Sequence, residues 1–477
     1  MTGAVWAIFW PLLVALADYL FHGRGRGAWL AIGAAGTVVS LVVLTGAVVA
    51  DGVLVHPLGG WAAPLGIELY ADGLALLMLW LTAVVMLAVV PYSLAWFGDQ
   101  ARARYYWPMW WLLWSSLNGL FLSADLFNLY VMLELVTLAA VPMVALAGKA
   151  EALRASLLYL LFALLGSLAW LLGVALLYAG AGTLHLHGLP ALAGEPYAAL
   201  AAGLMTAGLF AKAALFPLHA WLPPAHGNAP APVSAILSAL VVKAAVYLVL
   251  RVWLWAFPEL LDPLVGQVLG LIGGAAMVLG SIWAFRQTRL KQVIAYSTVA
   301  QLGYLLLIFP LAASFAAWQG VVYHGLAHGV AKAALFLAAG NIMIVVGHDR
   351  LAEMRELGSV LAPSLFAFGL AAVSLMGLPP AGGFVAKWLL VQGALEGGQW
   401  FWALLVMASG LLAAAYLFRV MRIFVRHAAA PGEGARGAHR LGPALNLPPL
   451  LLALAAVGLG LGAEPLLDLL SIAEGGP

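Results

Sequence analysis

Residues 196–224 read PYAALAAGLMTAGLFAKAALFPLHAWLPP, an apolar run that holds one lysine, Lys212, and then meets Pro217, Pro223 and Pro224. A helix needs about 20 apolar residues to cross a bilayer, so this run predicts a membrane-spanning helix. Proline lacks a backbone donor and clashes with the preceding turn, so it should break that helix. The carbonyls freed by the break must be buried in protein or face a water-filled cavity. The stretch therefore predicts a broken membrane helix with a charge inside it.

The composition of the whole chain extends this prediction. Of 477 residues, 65% are hydrophobic and 8% are charged, whereas soluble domains have about 45–50% apolar and about 25% charged residues. Lipid must therefore be the solvent for most of the surface. A net charge of +2 provides no field for binding nucleic acid. The lack of cysteine excludes disulfides, thiolate-bound metals and iron–sulfur clusters, and we expect no cofactor or metal site.

The apolar runs predict an all-α polytopic membrane protein with about 14 transmembrane helices of roughly 20 residues each. Residues 1–477 are expected to form a single membrane domain. The predicted segments fall near residues 3–21, 28–50, 70–97, 105–122, 125–147, 153–181, 196–222, 231–256, 262–286, 291–310, 315–347, 362–396, 400–427 and 446–472.

Basic residues predict the orientation of these segments, because Lys and Arg collect in cytoplasmic loops. They occur in alternate loops or their flanks, at Arg24, Arg26, Arg102, Arg104, Lys149, Arg154, Arg286, Arg289, Lys291, Arg350, Arg355, Arg419, Arg422, Arg426, Arg436 and Arg440. The opposite loops hold acids and no Lys or Arg; these acids are Asp51, Glu68, Glu195, Glu259 and Asp262. We therefore expect both termini outside. Abundant Ala and Gly favour a bacterial source, and hence a multi-pass protein of the inner (cell) membrane.

Five ionisable residues lie deep inside the apolar runs: Glu134, Lys212, Lys243, Lys332 and Lys387. A charge at the bilayer centre costs about 2.5–3.5 kcal/mol on insertion scales, so a functional role is the default expectation. The structural alternative is an ion pair between Glu134 and one lysine that locks helices together, and both roles can hold at once.

Other polar and aromatic residues have simpler interpretations. Arg251 is closer to a helix end and is expected to snorkel toward the interface. Asp18 and Asp72, near helix ends, are expected to be interfacial. A row of four tryptophans is expected to anchor the chain at the lipid interface; these are Trp107, Trp110, Trp111 and Trp114.

A second run is interrupted in the same way as the first. Segment 12 (362–396) contains MGLPPAGGF at residues 376–384, directly before Lys387. Broken helices at matching places in two halves of a chain point to a transport site. Each break lies next to a buried lysine.

Segment 11 (315–347) carries His324, His328 and Lys332 at i, i+4 and i+8, along one face of a helix. Histidine titrates near neutrality and can accept a proton at one ring nitrogen while donating at the other, so the row is a candidate proton wire. A metal site would need a third ligand, and the histidines could instead serve packing. His219, beside the first break, could act in gating or in packing.

These motifs resemble those of the antiporter-like membrane subunits of respiratory complex I and of Mrp-type cation/proton antiporters. The resemblance rests on the following stretches: FAKAALFPLHAWLPPAH at 210–226, APAPVS at 229–234 before Lys243, QTRLKQVIAYSTVAQLGY at 287–304, the 328–336 stretch, and LFNLY at 126–130 before Glu134. It covers most of the chain, roughly segments 3 to 13.

The resemblance implies two inverted five-helix repeats, segments 4–8 (105–256) and 9–13 (262–427), with broken segments 7 and 12. Residues 1–104 would hold segments 1–3, and residues 446–472 segment 14. By the family's motifs, Glu134 would tune Lys212 and Lys243 would be a linker. His328 and Lys332 would form a relay, supported by His324 and His219, and Lys387 would be the exit residue.

The resemblance also implies a function. The motifs LFNLY at 126–130 and GFVAK at 383–387 most resemble those of the D-type Mrp subunit. The chain would then be a proton-translocating transporter subunit, not an enzyme, working with other membrane subunits to exchange monovalent cations for protons. The alternative is an N-type proton-pumping subunit of an NADH-quinone oxidoreductase or a membrane-bound hydrogenase complex. A pure scaffold would leave the deep ionisable residues unexplained.

Overall fold

A computed structural model describes residues 2–64, 66–98, 100–192, 194–354, 361–426 and 441–472. Three residues named above, Arg355, Arg436 and Arg440, lie outside these ranges. The first helices are α1 (Thr2–Leu20), α2 (Arg26–Asp51), α3 (Gly73–Phe97), α4 (Ala103–Leu122), α5 (Leu126–Ala145), α6 (Ala150–Ala181), α7 (Pro196–Ala213), α8 (Leu222–Asn228), α9 (Ala231–Ile236) and α10 (Val242–Arg251). The others are α11 (Pro263–Arg286), α12 (Leu290–Leu302), α13 (Phe315–Val346), α14 (Ala362–Met376), α15 (Gly382–Glu396), α16 (Trp400–Arg426), α17 (Pro443–Leu461) and α18 (Glu464–Leu469).

The predicted all-α polytopic membrane fold is confirmed. Within the described ranges, 10 helical segments are long and apolar enough to cross a membrane. Helices α4, α7, α12, α14 and α15 fall short of that criterion of length or hydropathy, so the count of about 14 spans stays a prediction.

Both predicted breaks are present. Helix α7 ends at Ala213, the next residue takes a left-handed φ of 53°, and the chain becomes helical again at Leu222. The Nε1–H of Trp221 donates to the freed carbonyl of Ala211 at 2.8 Å, which satisfies part of the break. In the second half, α14 ends at Met376, the next residue, Gly377, takes a left-handed φ of 81°, and α15 begins at Gly382.

One helix crosses the centre of the bundle. Helices α9 and α10 are joined by a π-helical turn at Leu237–Val241, and a second such turn, Val252–Ala256, follows α10. The 26 residues Ala231–Ala256 therefore form one continuous helix, and its most apolar 18-residue stretch is entirely buried. Such π-helical turns are rare and are often found at functional sites.

A β-hairpin, which the sequence did not predict, joins α2 to α3. Its strands are β1 (Leu54–Pro57) and β2 (Glu68–Ala71), paired antiparallel. The Glu68 carbonyl accepts the backbone N–H of Ala124 at 3.1 Å, and the Ile472 carbonyl accepts that of Gly73 at 2.9 Å. The hairpin thus joins the start of α5 and the last described residues on one side of the bundle, which we call the hairpin side.

The opposite side carries basic loops. Helix α3 runs from the hairpin at Gly73 to Phe97, which lines a cavity of about 540 Å³. The basic residues that line this cavity come from four loops and are Arg102, Lys149, Arg289 and Arg350. We call this the basic side, and the grouping agrees with the alternation of charge along the chain.

The tryptophans of α4 do not face lipid, so their predicted role as interfacial anchors is wrong. All four are at most 1% exposed, and they are Trp107, Trp110, Trp111 and Trp114. Helix α4 packs among α1, α3 and α5, and a Cβ at Gly33 of α2 would lie 2.4 Å from the Trp111 ring. Apolar side chains suit lipid and protein contacts equally, so aromatic content alone does not distinguish the two.

Candidate functional site

The deepest acid and the lysine of the first break form an ion pair. Lys212 Nζ lies 3.0 Å from Glu134 Oε1 and donates to Thr137 Oγ1, also at 3.0 Å. Ser167 Oγ donates to the same Glu134 oxygen. The Lys212 side chain is 5% exposed and that of Glu134 is 21% exposed. Helices α5, α6 and α7 therefore all contribute polar groups to a mostly dry ion pair.

Glycines explain how α6 comes close enough to contribute. A Cβ at Gly166 of α6 would lie 2.5 Å from the Gly208 carbonyl oxygen, and a Cβ at Gly208 would lie 2.3 Å from that of Gly166. The two backbones touch because neither residue has a side chain. This contact sets Lys212, one turn after Gly208, against α6 and α5. A cavity of about 10 Å³ lined by Lys212 and Thr137 adjoins the pair.

The second lysine, Lys243, is 2% exposed at the start of α10. Its Nζ donates to the carbonyl of Ser238, which lies in the π-helical turn. This turn widens the helix by one residue, so it frees a carbonyl that an ordinary α-helix would use. Lys243 also lines a mostly apolar cavity of about 30 Å³ with Tyr247, Leu74 and Leu250.

A chain of hydroxyls and carbonyls connects Lys243 to the relay on α13. Ser238 Oγ lies 3.0 Å from Thr298 Oγ1 of α12, and Thr298 Oγ1 donates to the Ile294 carbonyl at 3.1 Å. Lys332 Nζ donates to that same carbonyl at 2.8 Å and also to Ser297 Oγ. Lys243 contacts the Ser238 carbonyl, and the Ser238 hydroxyl leads through Thr298 to the carbonyl that Lys332 also contacts. The two lysines are therefore anchored at opposite ends of one polar cluster, whose uncharged members the sequence did not single out.

The two histidines of α13 lie where the helical spacing placed them. The rings of His324 and His328 stack with their centroids 5.7 Å apart and are both at most 2% exposed. His324 Nε2 contacts the Gln301 carbonyl at 3.1 Å. Neither ring nitrogen of His328 has a hydrogen-bond partner among the described residues. His328 therefore has free proton-carrying capacity in the interior.

Lys387 caps the second break. Its Nζ donates to the carbonyls of Leu375 at 2.7 Å and Met376 at 3.1 Å, the last residues of α14. The C-terminal end of a helix carries a partial negative charge, so this position suits an ammonium.

Tyr304 was missed at the sequence level, although it closes the motif at 287–304. Its ring stacks on His324 with the centroids 4.7 Å apart, and its centroid is 4.9 Å from Lys387 Nζ. Tyr304 thus contacts both His324, in the row of His324, His328 and Lys332 on α13 (the α13 row), and Lys387 at the second break. Because tyrosine is common in apolar segments, only its i, i+3 spacing from Gln301 could have drawn attention to it.

His219 contacts aromatic rings next to the first break. Its ring stacks on Trp283 of α11 at 4.9 Å and is half-buried. Its supporting role therefore stays a prediction. Among the described residues, no group of three or more His, Asp or Glu is placed to hold a metal ion.

The expectation that Arg251 snorkels is wrong. The Arg251 and Asp72 side chains are 4% and 0% exposed, and they form a bidentate pair with both N–O distances 2.7 Å. Nothing in the sequence indicates this pairing, because the partners are 179 residues apart. Because each charge is balanced by its partner, neither side chain has to reach water. The interfacial positions expected for Asp18 and Asp72 stay predictions.

Lys291 is also buried, although the sequence places it in a basic loop. It is 1% exposed, and its Nζ donates to the Ala229 carbonyl at 2.6 Å. Ala229 lines the 540 Å³ cavity on the basic side. Lys291 thus links that cavity to the interior near His226, whose ring nitrogens have no hydrogen-bond partner within the described ranges.

A helical membrane bundle with two broken helices, several buried lysines, a lysine–carboxylate pair beside one break and a histidine row on a neighbouring helix is typical of ion-translocating membrane subunits. The chain belongs to the NADH:quinone oxidoreductase/Mrp antiporter transmembrane family, whose profile matches residues 123–412. The match spans both breaks and the site residues from Glu134 to Lys387.

Individual relatives cover nearly the whole chain. The sequence is 35% identical to the N subunit of NADH-quinone oxidoreductase from Desulforudis audaxviator (strain MP104C), over 96% of this chain and 95% of the relative. It is 31% identical to the D subunit of the Na⁺/H⁺ antiporter from Bacillus subtilis (strain 168), over 91% and 88%.

Two solved structures share the fold. A chain of the Mrp complex from Dietzia sp. DQ12-45-1b superposes with a TM-score of 0.89 at 27% identity, covering 99% of this chain and 97% of that chain. A chain of the membrane-bound sulfane sulfur reductase, an archaeal respiratory membrane complex, gives 0.87 at 26% identity with the same coverage.

Proposed function

We propose that this chain is the proton-translocating subunit of a multi-subunit Mrp-type cation/proton antiporter in a bacterial cell membrane. The observation that carries the proposal is the buried Glu134–Lys212 pair, 3.0 Å apart, beside a broken helix. The relatives that are D subunits of Na⁺/H⁺ antiporters and the Mrp complex structure support the antiporter assignment. Other subunits of that complex are the partners, and monovalent cations and protons are the transported ions.

The mechanism follows from the contacts. A lysine beside a carboxylate holds its proton, whereas a lysine moved against an apolar wall releases it. Opening of the Glu134–Lys212 pair would therefore pass a proton from Lys212 toward Lys243. From there the proton would pass to Lys332 beside the Ser238 and Thr298 hydroxyls, which can both donate and accept. His328 and His324 lead onward along α13 to Tyr304 and Lys387.

The orientation supports an inlet on the basic side. Cytoplasmic loops are rich in Lys and Arg, so the basic side is assigned to the cytoplasm and both termini to the outside. The 540 Å³ cavity would admit protons from the cytoplasm to Lys291. We further infer that residues 105–256 and 262–427 are inverted repeats, since each contains one broken helix with a lysine at the break.

The second candidate is an N-type proton-pumping subunit of a redox-driven complex. It is favoured by the 35% identity to the N subunit of NADH-quinone oxidoreductase over 96% of the chain. The same proton path would then be driven by redox chemistry in other subunits. Co-purifying chains separate the two candidates, because iron–sulfur or flavin proteins belong only to the redox complex.

The test expresses the whole complex in an antiporter-deficient host and measures cation-dependent proton exchange in everted vesicles. Glu134→Ala and Lys212→Ala should assemble and lose exchange, while Glu151→Ala, at an exposed position on α6, should keep it. Exchange that persists in both buried variants rejects the relay. A wild-type complex that shows no exchange with any monovalent cation rejects the antiporter assignment in favour of the redox-driven candidate.

A further inference from the structure

A second buried ion pair lies on the hairpin side of Lys243. Arg251 Nη1 and Nη2 each donate to one oxygen of Asp72 at 2.7 Å, and Arg251 Nε donates to Tyr247 Oη at 2.9 Å. The guanidinium also lies over three aromatic rings, 5.5 Å from the centroid of Tyr70, 4.9 Å from that of Tyr247 and 4.7 Å from that of Trp255. The pair is packed on all these sides and satisfied in its hydrogen bonds.

Helical geometry puts this pair in line with the second lysine. Lys243, Tyr247 and Arg251 are spaced i, i+4 and i+8 on α10, so they share one face over about 12 Å. The 30 Å³ cavity beside Lys243 is also lined by Leu74 and Leu250, each within two residues of the ion pair. The Asp72–Arg251 pair therefore lies next to this cavity, between it and the hairpin side.

Beyond the pair the chain soon reaches the surface. The Tyr70 ring, which Arg251 contacts, lies 4.8 Å from the ring of His187, an exposed residue. A proton that passed the Asp72–Arg251 pair would thus leave the membrane from Lys243 without using α13, Tyr304 or Lys387. Such a leak would let protons cross without passing through the second half of the bundle, so proton movement would no longer be coupled to exchange.

The chemistry of the pair suits a barrier and does not suit a relay. Arginine stays protonated in proteins, so its guanidinium cannot release a proton to a neighbour. Both Asp72 oxygens accept charge-assisted bonds from Arg251, and Oδ1 also accepts the backbone N–H of Ala75 at 2.8 Å. The Glu134–Lys212 pair differs because a lysine can give up its proton.

We propose that Asp72 and Arg251 form a proton barrier that closes the hairpin side of the Lys243 cavity and directs protons into the α13 row. This inference rests on the proposed proton-translocating function. The same principle operates where an arginine in a pore forms an electrostatic barrier to protons.

The test uses the purified whole complex in liposomes free of alkali cations, with a membrane-permeant anion such as thiocyanate collapsing the membrane potential. An imposed pH gradient is followed with a trapped pH dye in the absence of transported cation. Arg251→Lys keeps the charge but provides a proton that can leave, so we expect the gradient to decay several-fold faster than with wild type. Arg251→Gln, which leaves the Asp72 carboxylate free to carry protons, should leak as well.

Two further variants locate the leak. Asp72→Asn keeps the guanidinium, so its gradient should decay at the wild-type rate. Adding Lys243→Ala to Arg251→Lys should abolish the leak, because the proton reaches the pair through Lys243. If Arg251→Lys and Arg251→Gln both assemble and hold the gradient as long as wild type does, the barrier is overturned. If only one of them assembles, the decay of the pH gradient in that variant decides whether the barrier stands.

Cation-dependent exchange, measured on the same liposomes, separates this inference from the function it rests on. If wild type shows exchange and the arginine variants show no leak, the barrier is overturned and the antiporter assignment stands. A leak in those variants without exchange in wild type supports the barrier and overturns the antiporter assignment. Loss of exchange without any leak would make the pair part of the conducting route and would also overturn the barrier.

Discussion

The ammonium of Lys387 lies 4.9 Å from the centroid of the Tyr304 ring. The two residues come from α15 and from the 3₁₀ turn (Gly303–Ile308) that continues α12, and the same ring also stacks on His324. The contact stabilises a charged lysine by about 0.5–2 kcal/mol, more when it is desolvated. The end of the α13 row and the second break thus meet at one aromatic ring.

We predict that this ring, and not its hydroxyl, supports exchange. Tyr304→Phe keeps the aromatic face and should retain most of the cation-dependent proton exchange in everted vesicles. Tyr304→Leu removes the face, so the exchange rate should fall by about tenfold, the equivalent of about 1.4 kcal/mol. Equal loss in both variants would assign the role to the hydroxyl, and no loss in either would remove Tyr304 from the path.

The glycine contact between α6 and α7 gives a prediction about stability. A methyl group at Gly208 would sit 2.3 Å from the Gly166 carbonyl oxygen, whereas one at Gly203, also on α7, meets nothing within 4 Å. Gly208→Ala should lower the free energy of unfolding by about 1–3 kcal/mol, as overpacking does. Gly203→Ala should raise it by about 0.5–1 kcal/mol, since alanine favours helix. Thermal unfolding of the detergent-solubilised complex measures both; a Gly208→Ala variant as stable as Gly203→Ala contradicts the packing argument.

The Glu134–Lys212 pair predicts non-additive stability. Glu134→Gln or Lys212→Met alone leaves one charge without its partner. Each should destabilise by less than the roughly 3–5 kcal/mol of a fully dry pair, because the Glu134 side chain is 21% exposed. The double variant should be more stable than the Glu134→Gln variant and yet lack exchange. Additive losses in a double-mutant cycle would show that the two side chains do not interact.

Lys291 gives a prediction about the inlet. Lys291→Gln removes a buried ammonium, 1% exposed, that links the basic-side cavity to the interior, so exchange should fall severalfold. Arg286→Gln is the matched control, because Arg286 is an exposed residue at the end of α11 and is not among the residues that line the cavity. Equal rates in the two variants, measured as cation-dependent proton exchange, would exclude Lys291 from the inlet.

The sequence predicted the helices, the breaks and the charged site residues for a local physical reason. Prolines in an apolar run break a helix wherever it packs, and a lysine in such a run stands out against its neighbours. Glu134 and Lys212 could be singled out on those grounds, and the family resemblance proposed their pairing.

What the sequence could not predict depends on contacts between distant segments. Ser238, Thr298 and Tyr304 are uncharged residues of ordinary types, and only the packed structure shows that they join two lysines and a histidine row. Arg251 was misassigned because its position near a helix end is compatible with either water or a partner. The hairpin was missed because its two strands are only 4 residues each within a stretch rich in Gly and Pro.

The π-helical turn at Leu237–Val241 absorbs one extra residue within a single turn of the central helix. Removing one residue there would restore regular α-helical hydrogen bonds and leave the helix faces after it nearly in place. An α-helix turns about 100° per residue, so removing one residue between Lys243 and Arg251 would instead turn Arg251 away from Asp72 by that angle. The central helix therefore has one place that tolerates a change in residue number and a neighbouring stretch that does not.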